Sequence, residues 1–192
     1  LETWEELIVL AKAKNLGLFV QVVPMPCYDC KDIKQGAFKD KDVRKEVSEN
    51  YIAIKVLSYT EVGQALTQLY SLGDGSTLLV LNTNEVLFYK HAGAISADVF
   101  LQELKLCSEE IKHYPTWQKG AAKGDLDKLD WLEFLMIESL NERVTPSSPI
   151  IRDVSSLLDS SDFANPIVAK FVSLLAIDID NAIFQTLKNH NA

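Results

Sequence analysis

An apolar, β-branched run from Leu18 to Val23 is closed by Pro24 and Pro26 and followed at once by Cys27-Tyr28-Asp29-Cys30. A run of this kind is the strand that a parallel sheet buries on both faces, so the chain around it must supply covering helices. After Cys30 the pattern is helical to about Gly36 and resumes from an Asp40 cap through Val43 and Val47 to about Glu49. Two cysteines are therefore expected where a strand turns into a helix. That location matters chemically, because a thiolate is the nucleophile of thiol-disulfide exchange. A free cysteine titrates near about 8.5, and the unpaired N–H groups of a helix start lower that value.

The rest of the first half supplies the alternation that such a sheet requires. Thr3 and Glu6 stand at the capping-box spacing ahead of Trp4, Leu7, Ile8, Leu10 and Ala11, which predicts a helix over 3–15, ended by Gly17. Tyr51–Leu57 reads as a second strand, and Thr60–Leu72 as a helix ending at Gly73. Thr77–Leu81 and Val86–Tyr89 flank the polar turn Asn82-Thr83-Asn84-Glu85 as a hairpin. Ser96 caps a helix whose Val99, Phe100, Leu104, Cys107 and Ile111 share a face. The order αβαβαββα, with right-handed crossovers, leaves few arrangements other than a mixed sheet between helices.

Strand signals stop after Tyr114-Pro115. Leu129, Leu132, Leu135, Met136 and Leu140 form one amphipathic helix, Ser148-Pro149 opens another with Ile151, Val154, Leu157 and Leu158, and Asn165-Pro166 opens a third. The last is apolar almost all round from Ile167 to Ile179, which predicts burial among the other helices, and it continues through Ile183, Phe184 and Leu187. The expected organisation is an α/β domain over 1–113 and an all-helical extension over 116–192.

Charge excludes one class of partner. Twelve basic residues stand against 16 acidic ones before Pro115 and 7 against 11 after it, so each part carries a balance of −4. With no basic patch, the chain has no electrostatic reason to hold nucleic acid. Charged residues interrupt every apolar run well short of the roughly 18 residues needed to cross a bilayer, so no membrane insertion is expected. The chain starts at Leu1, which is read as a trimmed amino terminus, a reading that leaves room for a removed export signal and constrains the compartment only weakly.

Trp4, the Ala11-Lys12 pair, the strand into Cys27-x-x-Cys30-Lys31, the Phe38-Lys39-Asp40-x-x-Val43 segment, the Tyr51-Ile52-x-Ile54-Lys55-Val56 strand and Gly75-Ser76-Thr77 together resemble the thioredoxin-like family. The likeness is to exported thioredoxin-like proteins of Bacteroidetes, in which a helical carboxy-terminal extension follows the thioredoxin domain. It covers about residues 1–113 well and the tail loosely. The resemblance implies a thioredoxin fold and a thiol-disulfide oxidoreductase acting on protein or peptide disulfides. Cys27 is then the attacking cysteine and Cys30 the resolving one, with Tyr28, Asp29, Pro26, Ser76 and Thr77 around the substrate. No dissociable cofactor is implied, and the reducing equivalents come from a partner redox protein. The implied compartment is the periplasm or another exported location, with the cytoplasm as the alternative.

Three departures accompany the likeness. Pro26 stands where the family has Trp, Gln21 where it has a buried Asp that assists proton transfer, and Ser76 where it has a cis-proline facing the dithiol. A cis bond before a residue other than proline costs about 3 to 4 kcal/mol, so a trans or strained Gly75–Ser76 bond is expected. Asp29 places a negative charge near Cys27 and opposes its ionisation. The alternative to catalysis is a redox-inactive interaction module in which the cysteines are a relic or a structural bond. A metal site is disfavoured, since zinc needs four ligands and His91, His113 and His190 are scattered. Cys107 reads as a buried inert thiol, Trp4, Trp117 and Trp131 as core, and Asp125, Asp127 and Asp130 as a solvated helix start.

Overall fold

The structure, a computed structural model, describes residues 3–27, 36–158 and 161–175. It divides into two compact units, 1–112 and 113–192.

The first unit is built on a four-stranded mixed sheet of order β2-β1-β3-β4. Helix α1 (Trp4–Lys14) begins at Thr3, whose hydroxyl accepts the Glu6 N–H at 3.2 Å. Asn15, in the left-handed region at φ 54°, ends the helix in place of the expected Gly17. Asn tolerates that conformation, which frees Gly17 to start the strand. Strand β1 (Gly17–Val23) pairs parallel with β2 (Tyr51–Leu57) and antiparallel with β3 (Thr77–Leu81). Strand β4 (Leu87–Ala92) pairs with β3 and begins and ends later than the sequence suggests. The delay follows from the turn, where Asn82 Oδ1 accepts the N–H groups of Asn84 and Val86 and holds Val86 in the loop.

Helices cover both faces of the sheet. Helix α2 (Lys41–Asn50) is capped by Asp40, which accepts from Asp42 N and Val43 N, and follows a 3-10 turn, Ala37–Lys39. Helix α3 (Glu61–Leu69) is capped by Thr60. On the α1/α3 side, Leu18, Val20, Val22, Leu79 and Leu81 pack with Ala11, Leu66 and Tyr70. On the other side Phe19 meets Phe38 and Phe100 at ring separations of 5.8 and 5.6 Å. Each such aromatic contact adds roughly 0.5–1.5 kcal/mol beyond the area it buries.

Helix α4 runs from Ala97 to Lys123 with Pro115 inside it, and the unit boundary falls within it. The buried stripe Phe100, Leu104, Cys107, Tyr114 and Trp117 keeps its helical spacing across the proline. That burial outweighs the roughly 3 kcal/mol an interior proline costs.

In the second unit, α5 (Lys128–Leu140), α6 (Pro149–Ser155) and α7 (Pro166–Leu175) enclose a cluster of Leu132, Leu135, Met136, Ile151, Val154, Val168 and Phe171. Asp127 caps α5 by accepting from Asp130 N, and Asp130 accepts from Trp117 Nε1 at 2.8 Å. Trp117 is buried as expected, whereas Trp4 and Trp131 are half-buried beside their clusters. Helix α7 corrects the expectation of all-round burial: Val168 and Phe171 are inside, while Leu174 is exposed. That inner face packs on α5 and the 3-10 turn Asp162–Ala164 and joins the cluster that includes Ile151 and Val154 of α6. The expected continuation through Ile179, Ile183, Phe184 and Leu187 lies outside the described residues. None of the described helices is long and apolar enough to cross a membrane.

Candidate functional site

Strand β1 ends at Val23, and Pro24, Met25 and Pro26 carry the chain from it to Cys27. The Val23 carbonyl accepts the Ser58 N–H at 2.9 Å, which ties the end of β1 to the segment after β2. The Met25–Pro26 peptide is cis. Met25 is exposed, Pro26 is exposed and Cys27 is half-buried. Cys27 is disulfide-bonded, while Cys107 is in no disulfide and is buried at 1% exposure. Of the sequence-expected residues, Tyr28, Asp29 and Cys30 lie outside the described residues.

The two family departures on the sheet meet each other. Gln21 Nε2 donates to Ser76 Oγ at 3.2 Å. Ser76 O accepts the Gly93 N–H at 2.9 Å, and Ser76 is fully buried. The Gly75–Ser76 peptide is trans, Met25–Pro26 being the cis bond among the described residues. A neutral amide holds a hydroxyl here, so neither group takes up a proton near neutral pH. Ser76 and Thr77, expected to line a substrate groove, are buried at 0% and 2% exposure, so the lining begins at Gly75. Thr77 is committed to the sheet, where it pairs with Val22 and Ala92.

A groove of about 590 Å³ lies beside the Cys27 approach. One wall is Pro24, Met25 and Pro26, and the opposite wall is Gln64, Thr67 and Gln68 of α3 together with the Leu72–Gly75 loop. Among the described lining residues Asp74 is the single charged one. The sequence reading missed Gln64, Thr67 and Gln68 because polar residues on a helix look like a solvated face. Their spacing of three and four does place them on one side of α3, opposite Val62 and Leu66, and that was the available signal. Cys27 is thus a half-buried residue next to Pro26 of the groove wall, whereas Cys107 is buried.

No group of three or more His, Cys, Asp or Glu residues suited to a metal occurs among the described residues. His91 Nε2 lies 3.1 Å from Ala94 O, and its ring stacks on Tyr89. His113 stacks on Trp117, and His190 lies outside the described residues. Burial pushes the phenol of Tyr51 far above the usual tyrosine range, and Tyr51 donates to Leu104 O. In the second unit Tyr114, itself raised by burial, donates to Glu138 Oε1 and accepts from Arg143 at 3.0 Å. Those contacts hold helices rather than offer a reactive group.

No family model and no curated protein matches the chain. Solved structures do. A thioredoxin from Thermus thermophilus is 20% identical, with a TM-score of 0.51 over 57% of this chain and 87% of that one. A candidate disulphide isomerase from Bacteroides thetaiotaomicron is 26% identical, with a TM-score of 0.50 over 56% of this chain and 88% of that one.

Proposed function

We propose that this chain, whose sheet and flanking helices make a thioredoxin-like fold, is a thiol-disulfide oxidoreductase acting on protein or peptide disulfides. Cys27 is the nucleophile and Cys30 the resolving cysteine. The single observation that carries the reading is the placement of Cys27: half-buried, in disulfide form, past the Pro24–Pro26 turn that follows β1 and next to Pro26 of the groove wall.

In the reducing direction the Cys27 thiolate attacks one sulfur of a substrate disulfide. The substrate S–S bond breaks, a Cys27–substrate mixed disulfide forms, and the departing substrate thiolate takes a proton from solvent. The Cys30 thiolate then attacks Cys27 Sγ, releases the second substrate thiol and leaves an oxidised Cys27–Cys30 pair. Two electrons pass from the dithiol to the substrate, and a partner dithiol protein restores them. The Gln21–Ser76 pair offers no base, so proton transfer in the resolving step falls to solvent. That predicts a slower resolving step than a carboxylate at position 21 would give.

Insulin reduction by the wild type and by Cys27→Ser tests the proposal. The wild type is expected to reduce insulin and the variant to fall to background; equal, near-background rates would overturn it. The buried Ser76 and its neutral partner favour one rival, an interaction module in which the cysteines are idle. Counting free thiols by mass spectrometry across glutathione buffers separates the two. A pair that exchanges between about −120 and −270 mV belongs to a catalyst, and one locked in a single state belongs to the module.

A further inference from the structure

Strand β2 pairs with β1 through all seven residues, Tyr51 to Leu57, and among the described residues no strand pairs with its other side. Alternate N–H and C=O groups of that edge therefore face outward without a ladder partner. Such an edge is a ready template for another strand, and proteins that need to block it do so with charges, prolines or bulges. The guard on β2 is slight, with Lys55 the one charged residue in the strand and Ala53 exposed beside it.

Under the edge lies a second cavity, of about 530 Å³, between β2 and α2. Phe19, Phe38, Val43, Val47 and Tyr51 make its apolar lining. Its charged lining residues are Arg44 and Lys55, with no Asp or Glu among the described ones. Both cations are exposed, and neither makes an ion pair among the described residues. On a chain of net charge −8 this local positive character is a reversal.

We propose that the β2 edge and this cavity form a docking site for an extended segment of a partner protein, which adds as a fifth strand. Its alternate apolar side chains fill the cavity, and flanking carboxylates meet Arg44 and Lys55. The row of outward backbone groups favours a peptide over a small apolar molecule, which would fill the space and leave the row unpaired. The charges favour a foreign strand over a second copy of this chain. Antiparallel self-pairing about Ile54 would set Lys55 of each copy across from Ala53 of the other, bringing the Lys55 and Arg44 cations of both copies to one seam. The site lies apart from the groove beside Cys27 and stands independently of the redox reading.

The test uses the full chain and two labelled peptides, Glu-Val-Thr-Val-Thr-Val-Glu and Lys-Val-Thr-Val-Thr-Val-Lys, read by fluorescence anisotropy. The acidic peptide is expected to bind about tenfold tighter at low salt, from two surface ion pairs against two like-charge contacts, and the gap to narrow as salt screens them. Arg44→Glu with Lys55→Glu should reverse the preference. Val47→Phe, which fills the cavity without touching the strand backbone, should weaken both peptides. Amide exchange of β2 should slow on binding, and circular dichroism confirms that each variant is folded. Failure of both peptides to bind, or binding indifferent to the charge reversal and to Val47→Phe, overturns the proposal. Dimerisation lost with Lys55→Glu overturns it in favour of a second copy.

Discussion

Alanine at Gly63 sets two effects of opposite sign against each other, and the structure decides between them. Alanine is favoured over glycine inside a helix by about 0.8–1 kcal/mol, so a survey of helix propensity predicts a gain. A Cβ on Gly63, however, would lie 2.1 Å from Leu57 O and 2.8 Å from both Leu57 C and Ser58 Cα. These are backbone atoms at the end of β2, and no side-chain rotation moves them aside. Non-bonded atoms need roughly 3.5–4 Å, so α3 must retreat by more than about 1 Å. That movement also stretches the Thr60 cap, whose hydroxyl accepts the Gly63 N–H at 3.2 Å. Overpacking costs about 1–3 kcal/mol, and backbone against backbone belongs at the upper end. Taking off the propensity gain leaves a net loss of about 2 kcal/mol, or a fall in Tm of about 4–8 °C for a chain of this size. Thermal unfolding followed by far-ultraviolet circular dichroism measures it. Gly73→Ala is the control: no atom lies within 4 Å of its Cβ, so its stability should stay level or rise by up to about 1 kcal/mol. A Gly63→Ala variant as stable as the wild type would refute the reasoning, because α3 would then have slid from β2 at no cost. Since Gln64, Thr67 and Gln68 travel with α3, the same shift should raise KM for a disulfide substrate of the groove.

Tyr114→Phe keeps the ring and removes the hydroxyl shared by Glu138 and Arg143, so it should cost about 1.5–3 kcal/mol in urea unfolding, as a hydrogen bond to charged groups does. Phe100→Ala removes a fully buried ring that touches Phe19, Phe38 and Tyr89, with an expected loss of about 3–5 kcal/mol by the same assay. Burial, and then the neighbouring Asp130, hold the Glu133 carboxyl above its ordinary value of 4.5. The folded state therefore binds that proton more tightly than the unfolded one, and stability present at low pH is lost as pH rises past that value. Glu133→Gln removes the loss, so its midpoint should exceed that of the wild type at pH 7 and converge with it at about pH 3; a constant difference across that range would count against the assignment.

Most elements were legible in the sequence because each depends on neighbours along the chain. Thr3, Asp40, Thr60 and Asp127 are short-range caps, and the β-branched runs at Leu18–Val23 and Thr77–Leu81 need no distant information to prefer strands. The placement of Cys27 after a buried strand was legible for the same reason. Misreadings arose where another residue overrode a local signal, as at Gly17, which starts β1 because Asn15 has already ended α1 in the left-handed region. Helix α7 shows the converse: its apolar sequence promised burial all round, but the described neighbours cover one face.

The amino-acid order alone thus determined which segments become helices and strands, the alternation that makes the sheet mixed, and the position of Cys27 just past a strand end. Folding in three dimensions decided the rest. It brought Gln21 against Ser76 across 55 positions, sank Ser76 and Thr77 into the sheet, and assembled a groove from α3, the Pro24–Pro26 turn and the Leu72–Gly75 loop. Among the described residues it also left β2 with one strand neighbour. Propensity and capping act over a few residues, whereas burial and cavity shape depend on which distant segments meet, and periodicity within one segment carries no record of that meeting.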